Sequence, residues 1–101
     1  FVREVAPGEV LAVDAEGMRS TFPLGRRDLH RCVFEHVYFA RPDSRIFGGS
    51  VDRARRALGR RLAREAPAPG AELVFSVPDS SNAAALGYAE EAGLPLELAL
   101  I

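Results

Sequence analysis

The run Leu73-Val74-Phe75-Ser76-Val77-Pro78-Asp79-Ser80-Ser81-Asn82 decides the fold. Its first five residues are rich in β-branched and aromatic side chains and read as a strand. Pro78-Asp79-Ser80-Ser81 ends that strand. Asn82 to Ala92 (N-A-A-A-L-G-Y-A-E-E-A) then reads as a helix, with Ala83, Leu86 and Ala89 or Glu90 on successive turns. Gly93 closes the helix, Pro95 follows, and Leu96 to Ile101 reads as another strand. A strand, tight loop, helix and strand at this spacing form a βαβ unit, which implies a parallel sheet and an α/β fold.

Working back from that unit, Pro67-Ala68-Pro69-Gly70 stops a preceding helix that runs to about Glu65. Ser50 is a good N-cap for it, with Asp52 in the first turn where the helix dipole favours an acid. Val51, Ala54, Leu58 and Leu62 recur at helical spacing and predict a narrow buried stripe. Cys32 to Ala40 (C-V-F-E-H-V-Y-F-A) reads as a strand covered on both sides, ended by Arg41-Pro42-Asp43-Ser44. Gly25 to Arg31 is a polar connection. Further back, Val10, Leu11 and Val13 precede the turn Asp14-Ala15-Glu16-Gly17, and Met18, Thr21 and Phe22 lead on to Pro23. This is a hairpin pattern, with Gly17 free to take the positive φ its turn needs.

Composition bounds the function. The chain has 101 residues, 48% hydrophobic and 27% charged, enough for one small globular core rather than two. No apolar run approaches the ~18 residues of a membrane span, and the N-terminus lacks the pattern of a signal peptide. Phe1 in place of Met suggests an internal part of something larger. A net charge of −1 gives no electrostatic case for nucleic acid or an acidic membrane as main partner. All 13 basic residues are Arg, so chemistry needing a lysine amine is impossible within these residues. One Cys and two His make a self-contained zinc site implausible, and the single Cys32 suits a reducing cytoplasm.

Among candidate sites, the loop Val77 to Asn82 is the most informative. It leaves the C-terminal end of an expected parallel strand and opens a helix, the edge at which open α/β sheets bind ligands. Helix-start N–H groups favour anions, and Asp79, Ser80 and Ser81 could reach a hydrated Mg²⁺. Simple capping by Asp79 or Ser80 explains the same residues, and local sequence alone favours it because caps outnumber sites. Arg53, Arg55, Arg56, Arg60, Arg61 and Arg64 crowd one helix without interleaved aromatics, which reads as a solvated face rather than an RNA surface. Glu35 and His36, as strand neighbours, would point to opposite faces and could not share one proton. Arg41 and Asp43 are either turn residues or ligand contacts.

The string Cys32-Val33-Phe34-Glu35-His36-Val37-Tyr38-Phe39-Ala40-Arg41-Pro42-Asp43-Ser44 closely resembles the corresponding stretch of glutamine phosphoribosylpyrophosphate amidotransferases, the amidophosphoribosyltransferase family. The resemblance continues through Ser50-Val51, Ala54-Arg55, Leu58-Gly59, Leu62-Ala63 and Glu65. It then covers Val77-Pro78-Asp79-Ser80-Ser81, Ala84-Ala85, Gly87-Tyr88-Ala89-Glu90 and Gly93-Leu94-Pro95. Arg3-Glu4-Val5 and Pro7-Gly8-Glu9 match less specifically. The resemblance implies that residues 1–31 are the last strands of an N-terminal-nucleophile glutaminase domain with a connection. Residues 32–101 would then begin a type I phosphoribosyltransferase parallel-sheet domain.

The activity so implied makes 5-phosphoribosylamine, glutamate and pyrophosphate from phosphoribosyl pyrophosphate, glutamine and water, the first committed step of de novo purine synthesis. Ser80 matches a position that supplies a Mg²⁺ ligand in the family. The two Asp that complete the set belong to an acidic V-D-D-S loop that does not occur in these residues. Cys32 matches the first ligand of the [4Fe-4S] cluster carried by one subgroup, and one thiolate cannot hold a cluster. Phe1 is not the nucleophilic Cys of the family, and Cys32 stands in the wrong place to serve as it. No catalytic residue is therefore assigned, and the chain alone is expected to be inactive. The resemblance also implies purine nucleotides as feedback inhibitors, a homo-oligomer and a cytoplasmic location, with neither nucleic acid nor membrane as partner. The competing reading is a free-standing phosphoribosyl- or nucleotide-binding α/β module.

Overall fold

The computed structural model describes residues 2–101. Phe1, considered above against the nucleophilic Cys, lies outside the described residues. The chain divides into two compact units, Phe1–Arg31 and Cys32–Ile101.

In the first unit, β1 (Val10–Asp14) and β2 (Gly17–Thr21) form the expected antiparallel hairpin, in register from Val10 opposite Thr21 to Asp14 opposite Gly17. Gly17 closes the turn at a φ of +120°. A carboxylate anchors the strand entry. Glu9 accepts two hydrogen bonds from the Arg3 guanidinium at 2.6 and 2.8 Å, one from the Ala6 amide at 2.7 Å and one from the Ser20 hydroxyl. These donors hold the Glu9 carboxyl far below the usual carboxylate range, the Arg3 hydrogen bonds contributing most.

The second unit begins with a correction: Cys32–Ala40 is not a strand. Glu35–Phe39 forms a single wide helical turn, closed where the Ala40 amide donates to the Glu35 carbonyl at 3.1 Å. Its apolar side chains are not covered on both sides; Val33, Tyr38 and Phe39 are exposed. Phe34 packs edge-on against Phe39, with ring centres 5.2 Å apart. The physical reason is tertiary. The Arg55 guanidinium takes the carbonyls of His36 (2.7 Å) and Ala40 (2.9 Å), two acceptors that only a turn can bring to one side chain. The opposite-faces argument for Glu35 and His36 therefore lapses. The His36 ring instead lies against Phe47, 5.6 Å between centres.

Two short strands, β3 (Arg45–Ile46) and β4 (Gly49–Ser50), pair antiparallel and deliver the chain to helix α1 (Val51–Glu65). Ser50 caps α1 as expected, its hydroxyl accepting from the Arg53 amide at 3.3 Å. The buried stripe differs from the expected one. Val51, Arg55, Gly59 and Ala63 face inward, whereas Leu58 and Leu62 remain 50% and 53% exposed.

The βαβ unit is present. β5 (Val74–Phe75), α2 (Asn82–Ala92) and β6 (Leu96–Glu97) follow in order, and β5 pairs parallel with β6, Val74 opposite Leu96. The strands are shorter than the sequence suggested. Helix α2 ends at Gly93.

What the inward stripe meets explains its composition. Helix α1 packs on α2 through glycines. A Cβ at Gly59 would lie 1.9 Å from the Ala84 carbonyl oxygen, and one at Gly87 would lie 2.1 Å from that of Arg56. Backbone touches backbone at this crossing, and the small residues Ala63, Ala83 and Ala89 are buried on the same two helices. Arginines flank the contact. Arg60 bonds Glu90 at 2.9 Å, and Arg64 grips both oxygens of Glu91 at 2.8 and 2.9 Å. The Arg64 hydrogen bonds lower the Glu91 carboxyl below its ordinary value. The Tyr88 hydroxyl donates to the Ala66 carbonyl at 3.0 Å, closing the C-terminal end of α1.

Candidate functional site

The β5–α2 loop leaves the C-terminal end of the parallel pair, where the sequence placed it. The Pro78–Asp79 peptide bond is cis. The N-cap position of α2 falls on Ser81, not on Asp79 or Ser80. The Ser81 hydroxyl donates back to the Val77 carbonyl and gives the helix no side-chain cap. The Ser76 hydroxyl, buried under the loop, bonds the Asn82 side-chain oxygen at 2.5 Å and ties the strand end to the helix start. The loop is thereby braced from both ends, and Asp79 and Ser80 are left to face open space.

Two clefts meet at those residues. One, of about 360 Å³, runs between Tyr38-Phe39-Ala40 on one wall and Pro78-Asp79-Ser80 on the other. The second, of about 580 Å³, continues past Asp79 and Ser80 to Asp52 and Arg56 on α1, to Leu96 of β6 and to Leu98 just after it. Arg55 lines both. Asp52 is engaged by Arg56 at 2.9 Å, one turn along the same helix.

The oxygens of Ser80 and Asp79 suit a hydrated Mg²⁺, a hard cation that keeps several waters and takes one or two protein oxygens alongside substrate phosphates. They do not make an all-protein cage: among the described residues no group of three or more His, Cys, Asp or Glu could hold a metal. Cys32 is exposed and carries the chain's one thiol, so these residues do not fit a four-thiolate cluster. Arg41 and Asp43 pair with each other at 2.8 and 3.0 Å on the surface, which lowers the Asp43 carboxyl below its ordinary value.

The arginine-rich helix needs a second correction. Arg56, Arg60 and Arg64 bind carboxylates of α2, and Arg55 is 3% exposed, so the row is not simply a solvated face. Arg55 is the residue that sequence reasoning missed. Its signal was its place four residues after Val51 and four before Gly59, on the buried line rather than among the other arginines.

Fold and cleft define an α/β chain with a βαβ unit whose strand-end loop lines two open clefts. No family model matches the chain. Relatives are nonetheless close. The amidophosphoribosyltransferase of Mycobacterium tuberculosis is 56% identical over 95 residues, covering 94% of this chain and 18% of its own length. That of Bacillus subtilis is 48% identical over 101 residues, covering 100% of this chain and 21% of its own. A solved glutamine phosphoribosylpyrophosphate amidotransferase from B. subtilis, complexed with ADP and GMP, superposes with a TM-score of 0.80 over 99% of this chain and 22% of that one. This chain is similar along almost its whole length to amidophosphoribosyltransferases and spans about a fifth of the length of the relatives it matches.

Proposed function

We propose that these residues work as part of an enzyme that converts phosphoribosyl pyrophosphate, glutamine and water to 5-phosphoribosylamine, glutamate and pyrophosphate. Residues 1–31 would close the glutaminase domain, and residues 32–101 would open the type I phosphoribosyltransferase domain. The observation that carries this reading is the braced Pro78-Asp79-Ser80 loop at the end of β5, in a chain 48% identical across 99% of its length to a solved glutamine phosphoribosylpyrophosphate amidotransferase.

In this reading the chain binds and orients. Ser80, with Asp79 beside it, offers oxygen to Mg²⁺, and the α2 amides favour the negative charge of a diphosphate. A Mg²⁺ held there would supply positive charge to stabilise a pyrophosphate leaving group. Cys32 offers a first ligand to a cluster only where three further thiolates join it. Neither the glutaminase nucleophile nor the acidic V-D-D-S loop is among these residues, so the chain by itself catalyses neither half of the reaction. Purine nucleotides act as feedback inhibitors of a cytoplasmic homo-oligomer; the B. subtilis relative, described as complexed with ADP and GMP, supports the nucleotide part.

The test is Ser80→Ala in the enzyme that carries this chain. Use of phosphoribosyl pyrophosphate at limiting Mg²⁺ should weaken by about tenfold or more, as loss of a metal-holding group does. Glutaminase turnover measured alone should be unchanged. Transferase kinetics unaltered at limiting Mg²⁺ would remove Ser80 from the site.

A further inference from the structure

We infer that Arg55 is a positioning residue that sets one wall of the cleft over Ser80. This inference rests on the function proposed above. Arg55 is a cation at 3% exposure, and its two hydrogen bonds go to backbone carbonyls rather than to a carboxylate. Removing a guanidinium from water carries a large desolvation penalty even after relaxation, and among the described residues no ion pair offsets it. An apolar residue would fill the same space without that penalty. What the guanidinium does, and an apolar residue could not, is hold two acceptors in a fixed fork.

The two acceptors belong to the His36–Ala40 turn, whose terminal carbonyls would otherwise be orphaned at its end. The fork therefore ties that turn to α1. Next to it, the Asp52 amide donates to the Pro42 carbonyl and the Val51 amide to that of Ser44, each at 3.1 Å, so the segment after the turn is tied to the same helix. Tyr38, Phe39 and Ala40 consequently stand as a fixed wall facing Pro78, Asp79 and Ser80 across the 360 Å³ cleft. Without the fork the turn keeps its own Ala40-to-Glu35 bond but loses its attachment, and the wall drifts. A cleft whose wall drifts holds its ligand less firmly in ground state and transition state alike, which reads as a higher KM more than as a lower kcat.

The experiment uses Arg55→Lys in the enzyme that carries this chain. The variant keeps the charge, but its single ammonium cannot span both carbonyls in one plane. Two readouts are taken: hydrogen exchange at the His36–Ala40 amides, and KM and kcat for phosphoribosyl pyrophosphate beside glutaminase turnover. The expected result is faster exchange in the turn with α1 and α2 still protected, KM raised about tenfold, kcat changed less, and glutaminase intact. Arg55→Gln, which keeps donors but not charge, should show the same split and serves if the lysine variant does not fold. Faster exchange with an unchanged KM would overturn the inference, leaving Arg55 a brace and nothing more. Unchanged exchange would overturn it as well. No transferase activity in the unsubstituted enzyme would instead overturn the functional reading, and that result is seen before any substitution is made.

Discussion

Replacing Gly59 with Ala tests the helix crossing most sharply, because two effects of opposite sign compete. In a helix interior Ala is favoured over Gly by about 1 kcal/mol, so propensity alone predicts stabilisation. Packing predicts the reverse. The added Cβ would lie 1.9 Å from the Ala84 carbonyl oxygen, 2.8 Å from its carbon and 2.9 Å from the Tyr88 nitrogen, all backbone atoms that no rotamer change can move. Relief requires α1 and α2 to part by more than an ångström at a contact that holds Ala63, Ala83 and Ala89 out of water. Overpacking of this kind costs about 1–3 kcal/mol where side chains can adjust, and more where they cannot. Setting about 3–4 against about 1 leaves a net loss of roughly 2–3 kcal/mol. For a domain of this size that is a fall in Tm of roughly 10–20 °C by thermal unfolding of the chain. Gly87→Ala should behave alike, since its Cβ meets the Arg56 carbonyl oxygen at 2.1 Å. The double variant should lose less than the sum of the two, because helices already separated admit the second methyl group at lower cost. A Gly59→Ala chain as stable as the original, or more so, would refute the backbone contact.

The hairpin unit should show an acid dependence that Glu9 controls. Its carboxyl is held far below the unfolded value of 4.5, so its contribution is complete above that pH and is lost as the pH falls toward the folded value. Glu9→Gln should flatten the acid limb of a stability-against-pH curve measured by denaturant unfolding, and an unchanged limb would count against the anchor. Ser50→Ala removes the α1 cap and should lower stability by about 1 kcal/mol in the same assay. Ser50→Asp should restore most of it.

Much of the second unit was legible because its signals are local. Ser50 as cap, Gly93 as stop, and strands within Leu73–Val77 and Leu96–Ile101, paired over two residues each, follow from a few adjacent residues. The loop with Asp79 and Ser80 followed from topology, since a parallel strand must end facing a helix start. The failures share a different cause. Cys32–Ala40 has the composition of a strand, and a guanidinium fifteen to nineteen residues away makes it a turn. Hydrophobicity points the α1 stripe through Leu58 and Leu62, since burial usually follows it. Where helices meet backbone to backbone the buried residues are the small ones, Gly59 and Ala63, and Leu58 and Leu62 fall to either side. Arg55 was hidden twice, by its arginine neighbours and by a charge that seemed to forbid burial.

The glycine crossing also has a mechanical consequence. Helices separated by side chains are cushioned, because rotamers absorb small displacements before they pass from one axis to the next. Gly59 and Gly87 leave no such padding between α1 and α2. A push that drives α2 toward α1 is therefore met directly by the backbone of α1, the helix that carries the Arg55 fork and the turn it holds. Both walls of the cleft are thus mounted on one uncushioned pair of helices.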